Sequence, residues 1–428
     1  MNIPIVVVTY NRPESLKRLL KSIANAEYPT NLKIELIISI DFSEDNSCIK
    51  VSKEFNWIHG HKTLIKHNAK MGLKNHIISC GDISQNYDGI ILLEDDLIVS
   101  PSFYYYSIAA SQFYTNKQHF CGISLYSYER NEFCDIPFSP TQDSFDTFLM
   151  KVPSSCGQIF LNSHWSTFKI EYNKIIKIEE TDFIPEQIYS WPETSWKKLY
   201  FKHMIKNDLY FVYPMHSYSS NMGTIGTHFF TDASFIKTNL TIKKENFKFP
   251  DLNNTINIYD QFMEWEPEKI KMNERFRNIW KDIEIDLFGF KPLNKIRKSK
   301  IITSRKVSKS YGQFSSNMHP LQLNLITNNT TIHFESLIFN ITDHNNIFND
   351  NSQIKEYFNS CICPTLNSIS FYKGMNLVKQ SNKYKMANLI FFPGIKTYHI
   401  YLLLKSYFVK YHIYIKNRFL VKNTNDKA

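Results

Sequence analysis

Glycine is scarce in this chain, 12 residues in 428 beside 16 prolines, which excludes collagen-like and Gly/Pro-rich low-complexity polymers. The seven cysteines form no paired pattern, and Cys361 and Cys363 stand too close for a CxxC motif. An odd count without spacing argues against a disulfide scaffold and for free thiols in a reducing compartment. No apolar run reaches the ~20 residues of a spanning helix. The nearest stretch, His399 to Leu420, is interrupted by Lys405, Lys410, Lys416 and Arg418. At the N-terminus no basic region precedes an apolar signal core, because Ile3 to Tyr10 already reads as a buried strand. The expectation is a cytoplasmic protein. RNP, zinc and helix-turn-helix signatures are also missing, so nucleic acid ranks last among the partners that the charge allows.

What is present describes a globular protein with a large interior: 43% hydrophobic residues and 15% aromatics. A chain of this length calls for two or three domains. The formal net charge of +10 favours phosphate-rich partners, whether nucleotides, nucleic acid or anionic lipid. Basic residues concentrate at Lys291 to Lys309 and in the tail from Lys396 to Lys422. In the tail, Tyr401 to Leu404, Phe408, Ile413, Tyr414 and Phe419 alternate with lysines. That mixture suits peripheral contact with an anionic membrane surface, or equally a basic helix packed on the last domain.

The first segment alternates strand and helix. Ile3 to Thr9 is a continuous β-branched run, as in a parallel strand buried on both faces. Pro13 suits the first turn of a helix in which Leu16, Leu19, Leu20 and Ile23 share one face. A second strand, Ile34 to Ile40, ends at Asp41, and a third, Gly89 to Leu93, ends at Glu94-Asp95-Asp96. Both deliver carboxylates to the carboxyl edge, where open α/β sheets place ligands. Further strands are expected near Phe120 to Leu125 and Gln158 to Leu161, with a helix from Trp191 to Ile205. Pro250 to Arg305 reads as helical and basic. An α/β module follows from Pro320, with a strand at Leu389 to Phe392.

Three consecutive carboxylates beyond an apolar strand repel one another and call for a compensating cation. Taken alone, the trio also fits a solvated acidic turn. Oxygen ligands of this hardness suit Mg²⁺ or Mn²⁺, and such an ion bridges the phosphates of a nucleoside diphosphate leaving group. Two segments carry a family likeness. Ile5-Val6-Val7-Val8-Thr9-Tyr10-Asn11-Arg12-Pro13 resembles the opening of family 2 and related GT-A glycosyltransferases. Leu92 to Phe103, around Glu94-Asp95-Asp96, resembles the metal-binding segment of the N-acetylglucosaminyltransferase I family and its bacterial relatives.

The resemblance spans about residues 3 to 230 and implies roles for particular positions. Asp96 would be the metal ligand, with Glu94 and Asp95 contacting the nucleotide sugar or supporting the site. Thr9 and Arg12 would lie beside the nucleotide, and Asp41 would accept from the base. The Ser155-Cys156-Gly157-Gln158 segment is similar to one lining the donor-sugar pocket. Pro214, Ser217, Gly223 and Gly226 match a mobile loop near the donor, and His228 is a second candidate metal ligand or a structural histidine. The family's catalytic base is in an acidic pair after a Trp-Pro-x-x-x-Trp stretch. Here Trp191 to Trp196 preserves the stretch, but Lys197 and Lys198 stand in the acidic positions. Glu193 is therefore the substitute candidate, with Asp182, Glu186 and Asp208 as rivals, although Glu193 also fits a helix cap. Trp165, Trp191 and Trp196 fit either sugar stacking or the core.

The expected fold class is α/β. A GT-A, Rossmann-like nucleotide-diphospho-sugar transferase domain would cover residues 1–245, split into a nucleotide half (1–116) and an acceptor half (117–245). A basic helical connector (246–325) and a C-terminal α/β extension (326–428) follow. The resemblance implies a bacterial enzyme of surface polysaccharide synthesis. It would transfer a hexose or N-acetylhexosamine, with inversion, from a UDP-sugar to a glycan or lipid-linked oligosaccharide acceptor. A catalytically silent glycan-binding protein of the same fold is one rival. A sugar-nucleotide pyrophosphorylase is the other, but it should open with a glycine-rich loop that Pro4 to Leu19 does not contain.

Overall fold

The computed structural model describes residues 1–172, 174, 178–223, 236–327 and 337–362. Residues Met1–Phe358 form one compact unit. Gly226, His228, Leu389 to Phe392 and the basic tail all lie outside the described residues.

The chain opens with β1 (Ile5–Thr9), α1 (Pro13–Ala24), β2 (Leu36–Ile40), α2 (Ser47–Glu54), β3 (Lys62–Lys66), α3 (Gly72–Asp82) and β4 (Gly89–Glu94). All five residues of β1 are buried, as expected for a strand covered on both faces. In α1, Pro13 occupies the first turn and Leu16, Leu19, Leu20 and Ile23 are buried on the sheet. Then come β5 (Leu97–Val99), α4 (Phe103–Tyr114), β6 (Phe120–Ser124), β7 (Thr147–Met150), β8 (Gln158–Leu161), α5 (Asn162–Tyr172), α6 (Glu186–Ser190), α7 (Trp196–Lys206), β9 (Tyr210–Pro214), β10 (Ser219–Asn221) and β11 (Ile258–Tyr259).

The main sheet has nine strands in the order β11-β7-β9-β6-β8-β4-β1-β2-β3. Strands β3, β2, β1 and β4 run parallel, β8 is antiparallel to both β4 and β6, and β9 is parallel to β6. The carboxyl ends of β1, β2, β4, β6 and β9 therefore share one rim. Because α7 leads down into β9, the N-terminus of α7 belongs to that rim too.

Two expectations are corrected here. The helix expected over Trp191 to Ile205 is divided, because Trp191 is extended (ψ 140°) ahead of Pro192 and α7 starts only after Ser195. A residue before proline is pushed out of the helical region. The helical connector is likewise not observed, since no α-helix occurs among the described residues 246–322. That stretch holds short three-ten turns, β11, β12 (Ile283–Asp286), β13 (Lys300–Thr303) and β14 (Gly312–Ser315), followed by α8 (Leu323–Ile326), β15 (Ile338–Asp343) and α9 (Ser352–Ile362). Apolar alternation in Ile283-Glu284-Ile285-Asp286, together with turns at Pro267, Asn273 and Pro292, favours strands over a continuous helix.

Strand β11 pairs in parallel with β7 at the edge of the main sheet, and β12-β13-β15-β14 form a separate four-stranded sheet. A buried ionic group occupies the ground between them. Lys291, with no exposed side-chain surface, pairs with Asp260 and Glu284, and Arg305 Nε donates to Asp286 at 2.9 Å. Glu264 accepts from the Phe288 amide at 2.6 Å, while its Oε2 is buried without a hydrogen-bond partner among the described residues. Burial, then the nearby Asp286, hold the Glu264 carboxyl well above its ordinary range, and burial raises Asp260 to about 6.

Folded Glu264 keeps its proton at a pH where the unfolded chain, ionising near 4.5, has lost it. Its contribution to stability is therefore greatest in acid and declines as pH rises above that value. Glu264→Gln should flatten this decline, gaining on the order of 1–2 kcal/mol over the wild type at pH 8 and less at pH 5. Denaturant melts at the two pH values check this, and equal differences at both would count against it.

Candidate active site

Strands β1 and β4 are parallel neighbours with Val8 opposite Glu94, so the residues just beyond each strand meet at the rim. Thr9 Oγ1 donates to Asp95 Oδ2 at 2.8 Å, and the Tyr10 amide approaches the same oxygen at 3.3 Å. Arg12 Nη1 donates to Asp95 Oδ1 at 3.0 Å and to Asp96 Oδ2 at 3.3 Å. Asn11 makes the turn that aims Arg12 back at the cluster, with φ at +51°, a value that asparagine tolerates better than most residues. Thr9, Arg12, Asp95 and Asp96 are thus brought together.

One guanidinium faces three carboxylates, and the imbalance shows in their protonation. Burial, then Asp96 and Asp95, hold Glu94 well above the usual carboxylate range. Burial raises Asp95 to about 6, although Arg12 and the Thr9 hydroxyl act in the other direction. Asp96, with 21% of its side chain exposed, opens to the outside of the rim.

Asp41 is buried at the end of β2. Its Oδ1 accepts the Phe42 and Met71 amides at 2.8 Å, and its Oδ2 accepts the Gly72 amide at 3.0 Å. It therefore anchors the start of α3, a structural duty that was not read from the sequence. Tyr10 and Phe42, 38% and 43% exposed, flank it, and the Lys70 ammonium lies 5.0 Å from the Tyr10 ring centroid. Sequence reasoning passed over these aromatics. Their signal was an aromatic side chain placed directly beyond a strand's carboxyl end.

Gly157 and Gly223 close the other side. Gly157 has φ +91°, and a Cβ there would meet Ser219 Oγ at 2.9 Å and Leu93 Cδ2 at 3.3 Å, so only glycine fits. The Met222 amide donates to the Asp96 carbonyl at 2.9 Å, which brings Gly223 next to the acidic cluster. Burial pushes the Cys156 thiol up to about 12, with Asp96, Glu94 and Glu132 adding to the rise and Lys197 opposing it.

Glu193 is 71% exposed and ion-paired with Lys198 at 2.9 Å. It lines a cavity of about 790 Å³ together with Glu179, Glu180, Glu186 and Lys295. The cap of α7 is Ser195, which accepts the Lys198 amide. Among the rivals, Asp182 pairs with Lys202, and Asp208 is 79% exposed against Lys151. Lys197 binds both oxygens of Glu132 at 2.9 Å and lies 3.3 Å from the Tyr128 hydroxyl. Trp165 and Trp196 are core residues, Trp165 donating to Asp82 at 2.8 Å, whereas Trp191 stays half-buried with the Lys197 ammonium 5.2 Å from its ring.

Among the described residues no three His, Cys, Asp or Glu side chains converge as a metal cage. The donor set still suits a hard divalent ion bound in the magnesium manner, by one or two carboxylates with substrate phosphates completing the shell. Asp96 fits that description. No helix among the described residues is long and apolar enough to cross a membrane.

Residues 5–139 match the model of glycosyl transferase family 2. Solved structures with similar shape include the mannosyltransferase PcManGT from Pyrobaculum calidifontis in complex with GDP-Man and Mn²⁺ (11% identity, TM-score 0.29, covering 38% of this chain and 45% of that one). Another is S. aureus TarS 1-349 in complex with UDP-GlcNAc (15% identity, TM-score 0.35, 53% and 60%). A third is GalNAc-T7 with UDP, GalNAc and Mn²⁺ (12% identity, TM-score 0.36, 50% and 42%). The chain thus spans less than two thirds of each, and likenesses at such scores assign no substrate. No curated protein matches the chain in sequence.

The α/β sheet with its carboxylate rim is consistent with a GT-A domain, and the family match covers its first strands. Within the chain, residues 5–139 are the part that resembles glycosyl transferase family 2. The N-acetylglucosaminyltransferase I-like detail is not supported by these matches.

Removing the cation that holds the cluster should be felt in stability. Arg12→Gln is expected to cost about 1–3 kcal/mol, because Asp95 stays buried without its charged partner. Arg12→Lys should recover part of the loss. Chemical unfolding measures both, and an Arg12→Gln protein as stable as the wild type would contradict this role for the guanidinium.

Proposed function

We propose that this protein transfers a hexose or N-acetylhexosamine from a UDP-sugar to a glycan acceptor, by single displacement with inversion, in surface polysaccharide synthesis. The observation that supports it most is the Arg12–Asp95–Asp96 cluster at the carboxyl rim of β1 and β4 in a family 2 domain. In this reading Tyr10 and Phe42 offer faces for the nucleobase. Arg12 lies where the diphosphate would rest, suited to pair with phosphate oxygens. Gly157 lets the donor sugar approach the backbone. Asp96, with His228 as a second ligand, would hold Mn²⁺ or Mg²⁺. When bound, the ion supplies positive charge to the leaving diphosphate. Glu94 and Asp95 support the cluster from behind. The basic tail would keep the enzyme near a membrane that carries its acceptor.

One observation favours a second reading, a silent glycan-binding protein of the same fold. Lysines stand in the acidic positions at the start of α7, and Lys197 is fully engaged by Glu132 and Tyr128.

UDP release decides between them. With Mn²⁺ and a panel of UDP-glucose, UDP-galactose, UDP-GlcNAc and UDP-GalNAc, at least one donor should be turned over and should raise the melting temperature. Asp96→Asn should lower Mn²⁺-dependent release about 100-fold or more, the scale expected when charge stabilisation at the leaving group is lost. A wild-type protein that neither binds nor turns over any donor would remove the transferase reading.

A further inference from the structure

Inverting transfer requires a carboxylate to take a proton from the acceptor, and most rim carboxylates are bound to backbone amides or belong to the Arg12 cluster. Asp41 holds three backbone amides, and Asp95 holds Thr9, Tyr10 and Arg12. Asp96 is assigned to the metal, and Glu94 belongs to the same acidic cluster. Glu129 faces the backbone amide of Asn239.

Glu132 differs. It follows β6, whose carboxyl end lies on the same rim as that of β4, with only β8 between them. The loop that carries it is fixed at several points. The Leu125 amide donates to the Gly157 carbonyl at 2.9 Å, and the Ser127 amide to Ser217 Oγ at 2.8 Å. Asn131, fully buried, donates to the Phe262 carbonyl at 3.0 Å. From this base the Glu132 side chain, 23% exposed, meets Lys197 at the first turn of α7. Both carboxylate oxygens lie 2.9 Å from the Lys197 ammonium, and the Tyr128 hydroxyl donates to Oε2 at 3.0 Å. Lys197, at the helix start, thus holds in a fixed orientation an acid that comes from another loop.

Resting on the transferase reading above, we propose that Glu132 is the general base of this enzyme and that Lys197 is its positioning residue. The acceptor hydroxyl gives its proton to a Glu132 oxygen as its own oxygen bonds to the anomeric carbon. The bond from that carbon to the diphosphate oxygen breaks, and its electron pair leaves with UDP. No other reactant is required.

The test follows UDP release with Mn²⁺, using the donor that the wild type turns over and monosaccharide acceptors (glucose, galactose, N-acetylglucosamine). Glu132→Gln should lower kcat about 100-fold or more, the usual worth of a general base. Donor KM and the donor-induced rise in melting temperature should remain near wild type. Glu132→Asp should restore part of kcat. Lys197→Met should lower kcat more than KM, and Lys197→Arg should recover it, a pattern that a purely structural lysine would not give. Full turnover by Glu132→Gln overturns the proposal, as does loss of turnover in Glu193→Gln with Glu132→Gln intact. If a glutamine variant does not fold, Glu132→Asp at unchanged melting temperature decides: wild-type donor KM with reduced kcat supports the assignment, and wild-type kcat opposes it. Absence of turnover in the wild type would overturn the transferase reading and this proposal together. An active wild type with an active Glu132→Gln would overturn this proposal alone.

Discussion

The structure depends most on one guanidinium. Arg12 lies between Asp95 and Asp96, and without it three adjacent carboxylates would face one another at the end of β4. Its position follows from the backbone: β1 delivers Thr9, Asn11 turns the chain with a positive φ, and Pro13 begins α1, so Arg12 is aimed into the rim. The same few residues close β1, start α1 and neutralise part of the cluster. What remains is an excess of negative charge at the carboxyl edge of the sheet.

A second charge problem lies far from that rim and is handled differently. Between the nine-stranded sheet and the four-stranded one, Asp260, Glu264, Glu284 and Asp286 are buried, and among the described residues Lys291 and Arg305 are the cations paired with them. Protonation and backbone amides balance the excess there, as in the amide that Phe288 gives to Glu264. Buried ions of this kind fix geometry more reliably than they add stability.

Much of the fold was legible in the sequence because burial on both faces leaves a plain mark. The run from Ile3 reads as a strand and is one from Ile5 to Thr9, Gln158 to Leu161 reads as a strand and is one, and the acidic trio reads as a strand terminus. What was illegible depends on distance along the chain. Glu132 and Lys197 are 65 residues apart, and nothing in either segment points to the other. Strand β11 is two residues long and owes its existence to β7. The connector was misread because its lysines suggested a solvated helix, whereas Lys291 is buried among carboxylates. Asp41 was read for a ligand contact, and its hold on three backbone amides emerges only once α3 is placed beside it.

The pairing of β11 with β7 bears on the order in which the molecule can be completed. The outer edge of β7 is covered only when residues 258–259 have arrived. The salt bridge from Lys151 to Glu266, at 2.8 Å, closes later still. During synthesis the N-terminal domain would therefore leave the ribosome with an open hydrogen-bonding edge, a surface liable to self-association. A fragment ending at residue 245 would retain that edge permanently.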